Sequence, residues 1–173
     1  MGEWRRNREI KRFCPDFRPV RRVLRAISAE RIGIKRQTDT YYRVPAGRLK
    51  LREEGGRREL IAYADAYGGG LRAVRYRVVD AQDRAIGAML AEALGVSVVV
   101  RKRREVWRGG RTLFNLDRVE GVGQIFEVEI RLADGDDGQA EAERLLALLA
   151  PYLGEAIEGS NEDLAPQAAA RPT

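Results

Sequence analysis

The stretch from Asn115 to Arg131 constrains this chain most: Asn-Leu-Asp-Arg-Val-Glu-Gly-Val-Gly-Gln-Ile-Phe-Glu-Val-Glu-Ile-Arg. Two strand-like halves flank a turn that contains Gly121 and Gly123. Alternate residues of an extended strand share a face. Glu127, Glu129 and Arg131 therefore point one way, and Val128, Ile130 and Leu132 the other. Asn115 and Asp117 share a face in the preceding half. A charged face on an antiparallel strand is ordinarily the solvated one. The opposite end of the chain argues for more. Asn7, Glu9 and Lys11 repeat the pattern around Ile10, and several strands between carry lysine or arginine at alternate positions. Carboxylates on the terminal strands and cations on the middle ones suit a site for a metal and a polyphosphate.

Composition narrows the chemistry. The 173 residues suffice for one domain with a sizeable core. An apolar fraction of 44% excludes wholesale disorder. The net charge of +6 permits a nucleotide, polyphosphate, nucleic acid or membrane surface as partner without choosing among them. The lone Cys14 can form no intrachain disulfide, which fits a cytoplasmic location, and beside Pro15 it reads as incidental. The absence of histidine excludes Ser-His-Asp catalysis and histidine zinc sites. Any metal must rest on Asp, Glu and Asn oxygens, which favours Mg²⁺ or Mn²⁺. The charged N-terminus lacks an apolar signal core, and no apolar run approaches the ~20 residues of a membrane helix.

Taken in order, residues 7–13 predict a strand and Pro15 breaks it. Val20, Val23, Leu24 and Ile27 recur at helical spacing, so Phe17 to Ile27 predicts a helix. Its basic residues Arg18, Arg21, Arg22 and Arg25 read as a solvated face. Further strands are predicted at 39–44, 48–53, 59–63, 71–79, 96–107, 111–119 and 125–132, with turns at Gly55-Gly56 and Gly109-Gly110. Gly68-Gly69-Gly70 reads as a flexible connection and is no phosphate loop, because no Gly-Lys-Ser/Thr follows. Asp83 to Leu94, closed by Gly95, predicts a second helix, and Glu141 to Leu153 a third. The run Asp134-Gly-Asp-Asp-Gly138 lacks the glutamate of a calcium loop and reads as a polar surface turn. The result is one α+β domain over residues 1–164, with about eight antiparallel strands and three helices, and a disordered tail at 165–173.

If the strands close into a barrel, the apolar faces can pack outward against the helices. The charged faces then line a polar tunnel. Lys11, Lys50, Arg52, Lys102 and Arg104 would neutralise a triphosphate there, and Glu9, Asp117, Glu127 and Glu129 would hold a divalent ion. The rival is a half-open sheet whose basic face binds nucleic acid. It lacks aromatic residues interleaved with basic ones, and its acidic terminal strands would repel phosphates. The tunnel reading is preferred.

Five segments carry a resemblance. They are Glu9-Ile-Lys11, Gln37-Thr-Asp-Thr-Tyr-Tyr-Arg-Val-Pro45, Leu49-Lys-Leu-Arg-Glu53, Lys102-Arg-Arg-Glu-Val-Trp107 and Leu116 to Glu129. In this order, over nearly the whole chain, they resemble the CYTH superfamily, the triphosphate tunnel metalloenzymes, and within it the class IV adenylate cyclase-like branch. The resemblance implies an eight-stranded antiparallel tunnel that binds a triphosphate with Mg²⁺ or Mn²⁺. It implies phosphate contacts from Lys11, Lys50, Arg52, Lys102 and Arg104, with Arg75 as a further candidate. It implies metal ligation by Glu9, Asp117, Glu127 and Glu129. Lys11, Arg52 and Asp117 are the catalytic candidates. Three positions depart from the family pattern. Asn7 stands where the first glutamate of E-x-E-x-K is expected. Asp65 falls about where many relatives carry a basic residue. Asn161 replaces the tyrosine of a C-terminal Ser-Tyr-x-Asp-Leu segment, here Ser160 to Leu164.

The expected function is a metal-dependent enzyme of the class IV adenylate cyclase type, converting ATP to cyclic AMP and pyrophosphate. The alternatives are a triphosphatase acting on inorganic, thiamine or nucleoside triphosphate, and a non-catalytic triphosphate-binding protein. No membrane or nucleic-acid partner is expected, and a homodimer is left open.

Overall fold

The computed structural model describes residues 3–67 and 71–165. The glycine run at 68–70, the tail after 165 and the side chain of Asp65 lie outside the described residues. Eight strands form one closed barrel: β1 Arg5–Phe13, β2 Glu30–Tyr42, β3 Arg48–Glu54, β4 Arg57–Tyr67, β5 Arg72–Asp80, β6 Val96–Gly109, β7 Thr112–Val119 and β8 Gly123–Arg131. Their order around the barrel is β1-β5-β4-β3-β2-β6-β7-β8, every pairing antiparallel. The helices among the described residues are α1 Phe17–Ala26, α2 Arg84–Leu94, α3 Gln139–Leu149 and the short α4 Asn161–Leu164. None is long and apolar enough to cross a membrane.

Where the helices cover it the barrel is apolar outside, and its interior is charged, as the strand faces predict. Ile10, Trp107, Phe114, Leu116, Phe126, Val128 and Ile130 point outward and bury themselves against Phe17, Val20 and Leu24 of α1 and Ala142, Leu145 and Leu149 of α3. Each such side chain contributes roughly 1.5–3 kcal/mol when fully buried. Local signals fix the helices. Asp16 caps α1 through its side chain to the Arg18 amide, and Ser28 ends the turn in the left-handed region at φ 59°. Asp83 caps α2 in the same way, and Gly95 closes it at φ 73°.

Three expectations are corrected. Strand β2 begins at Glu30, far ahead of residue 39, because a bulge between Arg31 and Gly33 breaks the period that the sequence shows. The basic side of α1 is not simply solvated: Arg21 forms a 2.8 Å ion pair with the buried Glu105, and Arg25 lies over the Trp107 ring at 5.7 Å. The predicted third helix ends at Leu149 and passes into a 3-10 turn at Ala150–Tyr152, where Pro151 cannot continue the hydrogen-bond ladder.

Candidate functional site

Register decides which side chains meet inside. Glu9 lies opposite Glu129 and Lys11 opposite Glu127 across β1 and β8. Arg104 lies opposite Asp117, which in turn lies opposite Ile125. Gln37 faces Lys102, and Asp39 faces both Val100 and Arg52. The cavity between them, open to solvent, has a volume of about 770 Å³. Its lining includes Asn7, Glu9, Lys11, Lys50, Arg52, Lys102, Arg104, Glu127 and Glu129, nine residues the sequence reading had placed on inward faces.

The charges sort into two linked groups. Arg104 grips Asp117 with both nitrogens at 2.8 and 2.6 Å, reaches Glu127 at 2.6 Å and Glu129 at 3.4 Å. Lys11 completes this group on Glu127 at 3.0 Å. The second group centres on Asp39, which is 0% exposed. Arg52 binds it in a fork at 2.7 and 2.8 Å, Lys50 at 3.1 Å and Lys102 at 3.7 Å. Lys102 also lies 3.7 Å from Asp117 and so joins the two groups. Burial alone would raise the Asp39 carboxyl; Lys50, Lys102 and Arg52 outweigh it and hold that carboxyl well below the ordinary range. Lys102 is pushed down to about 7, first by burial and then by the charge of Arg104. Lys50 is raised by its anionic neighbours against burial, and its ammonium lies over the rings of Tyr41 and Tyr63 at 5.3 and 5.2 Å.

The acidic wall behaves differently. Burial pushes Glu9 up to about 7, with Glu127 and Glu129 adding to the rise. Glu129 is raised for the same reasons, while Lys11 and Arg104 hold Glu127 well below its ordinary value. Carboxylates that raise one another want a further cation. Asn7 Oδ1 is buried here without a hydrogen-bond partner, its amide nitrogen reaching Tyr76 at 3.4 Å. Three carboxylates and a free amide oxygen form the donor set that suits a hard divalent ion. Among the described residues no three acidic side chains already converge on one ion position, because each is drawn onto a neighbouring cation.

Two sequence-predicted residues sit elsewhere than expected. Arg75 points outward and stacks on Trp4 at 4.8 Å; the inward cation of β5 is Arg72, 3.4 Å from Glu9. Asp117, 1% exposed, lies behind Arg104 and Lys102 and is committed to both. Sequence reasoning missed Asp39, whose only signal was its place at alternate spacing from Gln37 and Tyr41. Cys14 is buried and its thiol is pushed up to about 11 by burial, which fits the inert reading.

One end of the tunnel is closed by the C-terminal segment. The amides of Gly154 and Ile157 donate to Phe13 and Lys11 at 2.8 and 3.0 Å, continuing the sheet where β5 falls short. Ile157 packs on Tyr41, Val98, Val100 and Ile125 to plug the barrel. Helix α4 follows, capped by Ser160 and Asp163. Arg48 ties it down through Glu162 at 2.7 Å and Asp163 at 2.9 Å, and Arg72 donates to the Gly159 carbonyl. Asn161 lines the cavity at 4% exposure with its Oδ1 unpartnered.

Known proteins share this arrangement. The CYTH domain model matches residues 6–160. No curated protein matches. The PH1012 protein of Pyrococcus horikoshii superposes with a TM-score of 0.77 at 22% identity, over 92% of this chain and 99% of its own. A putative adenylate cyclase of Vibrio parahaemolyticus gives 0.72 at 20% identity, over 95% and 98%. The putative adenylyl cyclase HpAC1 of Hippeastrum, described as having a dominant triphosphatase activity, gives 0.54 at 15% identity, over 96% and 92%. At these identities the superpositions speak for the fold alone. With the family model spanning most of the barrel and the charged tunnel inside it, the chain belongs to the CYTH domain family.

Proposed function

We propose that the tunnel is the active site of a metal-dependent enzyme that converts ATP to cyclic AMP and pyrophosphate. The observation that carries this reading is the charge order inside the barrel. Lys11, Lys50, Arg52, Lys102 and Arg104 share one cavity with Glu9, Glu127 and Glu129. A volume of about 770 Å³ supports a substrate with an organic part rather than bare triphosphate, since sites that bury a whole drug-sized ligand run about 300–1,000 Å³.

On this reading phosphate oxygens draw Lys11 and Arg104 away from Glu127 and Glu129, which turn to the divalent ion, so that no buried charge is left alone. Arg52 and Arg104 bring fork geometry, and Lys11, Lys50 and Lys102 act as point charges. Asp39 and Asp117 lie behind these groups and position them. Glu9, Glu127 and Glu129, with Asn7 Oδ1, would hold Mg²⁺ or Mn²⁺. When bound, such an ion neutralises phosphate charge and makes an attacking hydroxyl more acidic. In the reaction the ribose 3′-hydroxyl gives up its proton to solvent, its oxygen bonds to the α-phosphorus, the bond from that phosphorus to the bridging oxygen breaks, and pyrophosphate leaves.

The second reading is a triphosphatase, in which water attacks the terminal phosphorus. The activity described for the Hippeastrum protein supports it. A non-catalytic binder is the reading that Asn7 favours, and Asn7→Glu would switch on turnover if it holds. The test is ³¹P NMR of the protein with ATP and Mg²⁺ or Mn²⁺, repeated with inorganic triphosphate. Pyrophosphate and cyclic AMP confirm the cyclase, and orthophosphate replaces it with the triphosphatase. Shifted triphosphate signals without products leave a binding protein. Unperturbed spectra overturn all three.

A further inference from the structure

The outer wall of the barrel carries a feature that the tunnel does not use. Arg36 on β2 lies directly opposite Arg103 on β6, and Arg103 lies directly opposite Arg118 on β7. All three are exposed, as is Arg101, one step along the same face of β6. Like charges directly opposite one another on a sheet destabilise it. Such a row is ordinarily offset by carboxylates on the flanking positions. Here it is not. None of the four guanidinium groups makes an ion pair or hydrogen bond among the described residues; Arg118 only lies over the Phe17 ring at 5.5 Å. The nearby outward carboxylates are engaged elsewhere, Glu105 by Arg21 and Arg31, and Glu53 by Arg58. Glu120, in the β7–β8 turn, is exposed and pairs with none of them.

We propose that this wall, formed by β2, β6 and β7, docks the phosphodiester backbone of a nucleic-acid duplex. The row crosses two strand spacings, about 10 Å. That is the rise of roughly three nucleotides along one strand of a duplex. Arginine, with its planar fork, is the residue suited to phosphate oxygens. No aromatic side chain stands exposed beside the row, Phe17 being 2% exposed, so bases have no stacking platform and the backbone is what can be read. The exposed apolar side chains of this wall are Ile32 and Ile34, both near the start of β2 and 42% and 44% exposed; with no Trp, Phe or Leu beside them they are too few for a bilayer surface. Binding here is sequence-independent and separate from the tunnel, so it holds or fails regardless of which triphosphate chemistry is correct.

The test is fluorescence anisotropy of a short labelled duplex, as DNA and as RNA, titrated with the full chain over a range of salt. Two variants of equal net charge are compared: Arg36→Gln, Arg103→Gln, Arg118→Gln together, and Arg84→Gln, Arg108→Gln, Arg144→Gln together. All six positions are exposed, so both variants should fold. The expected result is that the first variant loses affinity at least ~10-fold, with the slope of log K against log salt reduced by roughly 0.9 per arginine removed. The second variant should stay close to the parent. A stronger effect on DNA or on RNA names the source. Equal loss in both variants overturns the proposal, because net charge alone would then explain binding. No duplex binding by the parent overturns it as well, whether or not phosphatidylserine vesicles bind in its place.

Discussion

Strand β6 carries cations on both faces, and the two faces obey different rules. Lys102 and Arg104 point inward, each 6% exposed, and every carboxylate in reach is bound to them or to their neighbours. Arg101 and Arg103 point outward and are exposed to solvent. Burial makes the difference. An unpaired buried charge costs several kcal/mol, roughly 3–5 when one partner of a pair is removed, whereas an exposed one costs almost nothing. Pairing inside the tunnel is therefore not a mark of stability. It is the condition under which a chain can bury this many charges at all. The outer row escapes that condition and carries only the weak mutual repulsion of screened charges.

Adjacent residues of one strand give the sharpest way to break this comparison. Arg104→Ala strips the partner from Asp117 and Glu127 and should destabilise the fold by roughly 3–5 kcal/mol. Arg103→Ala, one residue away, should stay within about 0.5 kcal/mol of the parent. Urea unfolding of the two variants measures both. If they lose the same stability, the division between inner and outer charges is wrong.

Asp39 separates arrangement from net charge. Asp39→Asn makes the tunnel more positive, so a tunnel that merely attracts anions should bind inorganic triphosphate more tightly. If Asp39 aligns Lys50, Arg52 and Lys102, the variant should instead bind at least ~10-fold more weakly. Asp39→Glu, which keeps the charge and shifts it by one methylene, should recover part of the loss. Calorimetric titration decides, and tighter binding by the asparagine variant would overturn the positioning role.

The position of Asp39 also marks where legibility stopped. Strands with apolar and charged residues on opposite faces, such as Glu127 to Leu132, declare their orientation by period alone, and the barrel with its acidic wall followed from them. Around Asp39 the run Gln-Thr-Asp-Thr is polar on both faces, so period says nothing about which side is buried. In β5 arginines occur at 72, 75 and 77, on both faces, and only the register of Arg72 against Glu9 shows which enters the tunnel. Arg75 and Arg77 instead flank the Trp4 ring at 4.8 and 4.6 Å. Helix α4 has four residues and one apolar side chain, too little pattern for any helical period to show. It exists because Arg48, Arg72 and the plug at Ile157 hold it. Tertiary partners, absent from local sequence, supplied what the pattern lacked.

The smallest of the expected effects concerns an inner charge that lacks a firm partner. Glu9 meets only Arg72 at 3.4 Å and faces two other carboxylates, so its carboxyl is raised from 4.5 to about 7, with burial the larger cause. The folded chain then holds a proton between those values that the unfolded chain has released. Glu9 therefore stabilises the fold fully below pH 4.5, and that contribution is lost as pH rises through about 7. In chelator-treated protein the Tm of the parent should fall relative to Glu9→Gln across this window by a few degrees, since ~1 kcal/mol moves a chain of this size by about 2–4 °C. Mg²⁺ added near neutral pH should restore the parent and not the variant. Parallel Tm profiles for the two proteins would mean that Glu9 is already satisfied, and the acidic wall would then lose its standing as the place where a divalent ion is wanted.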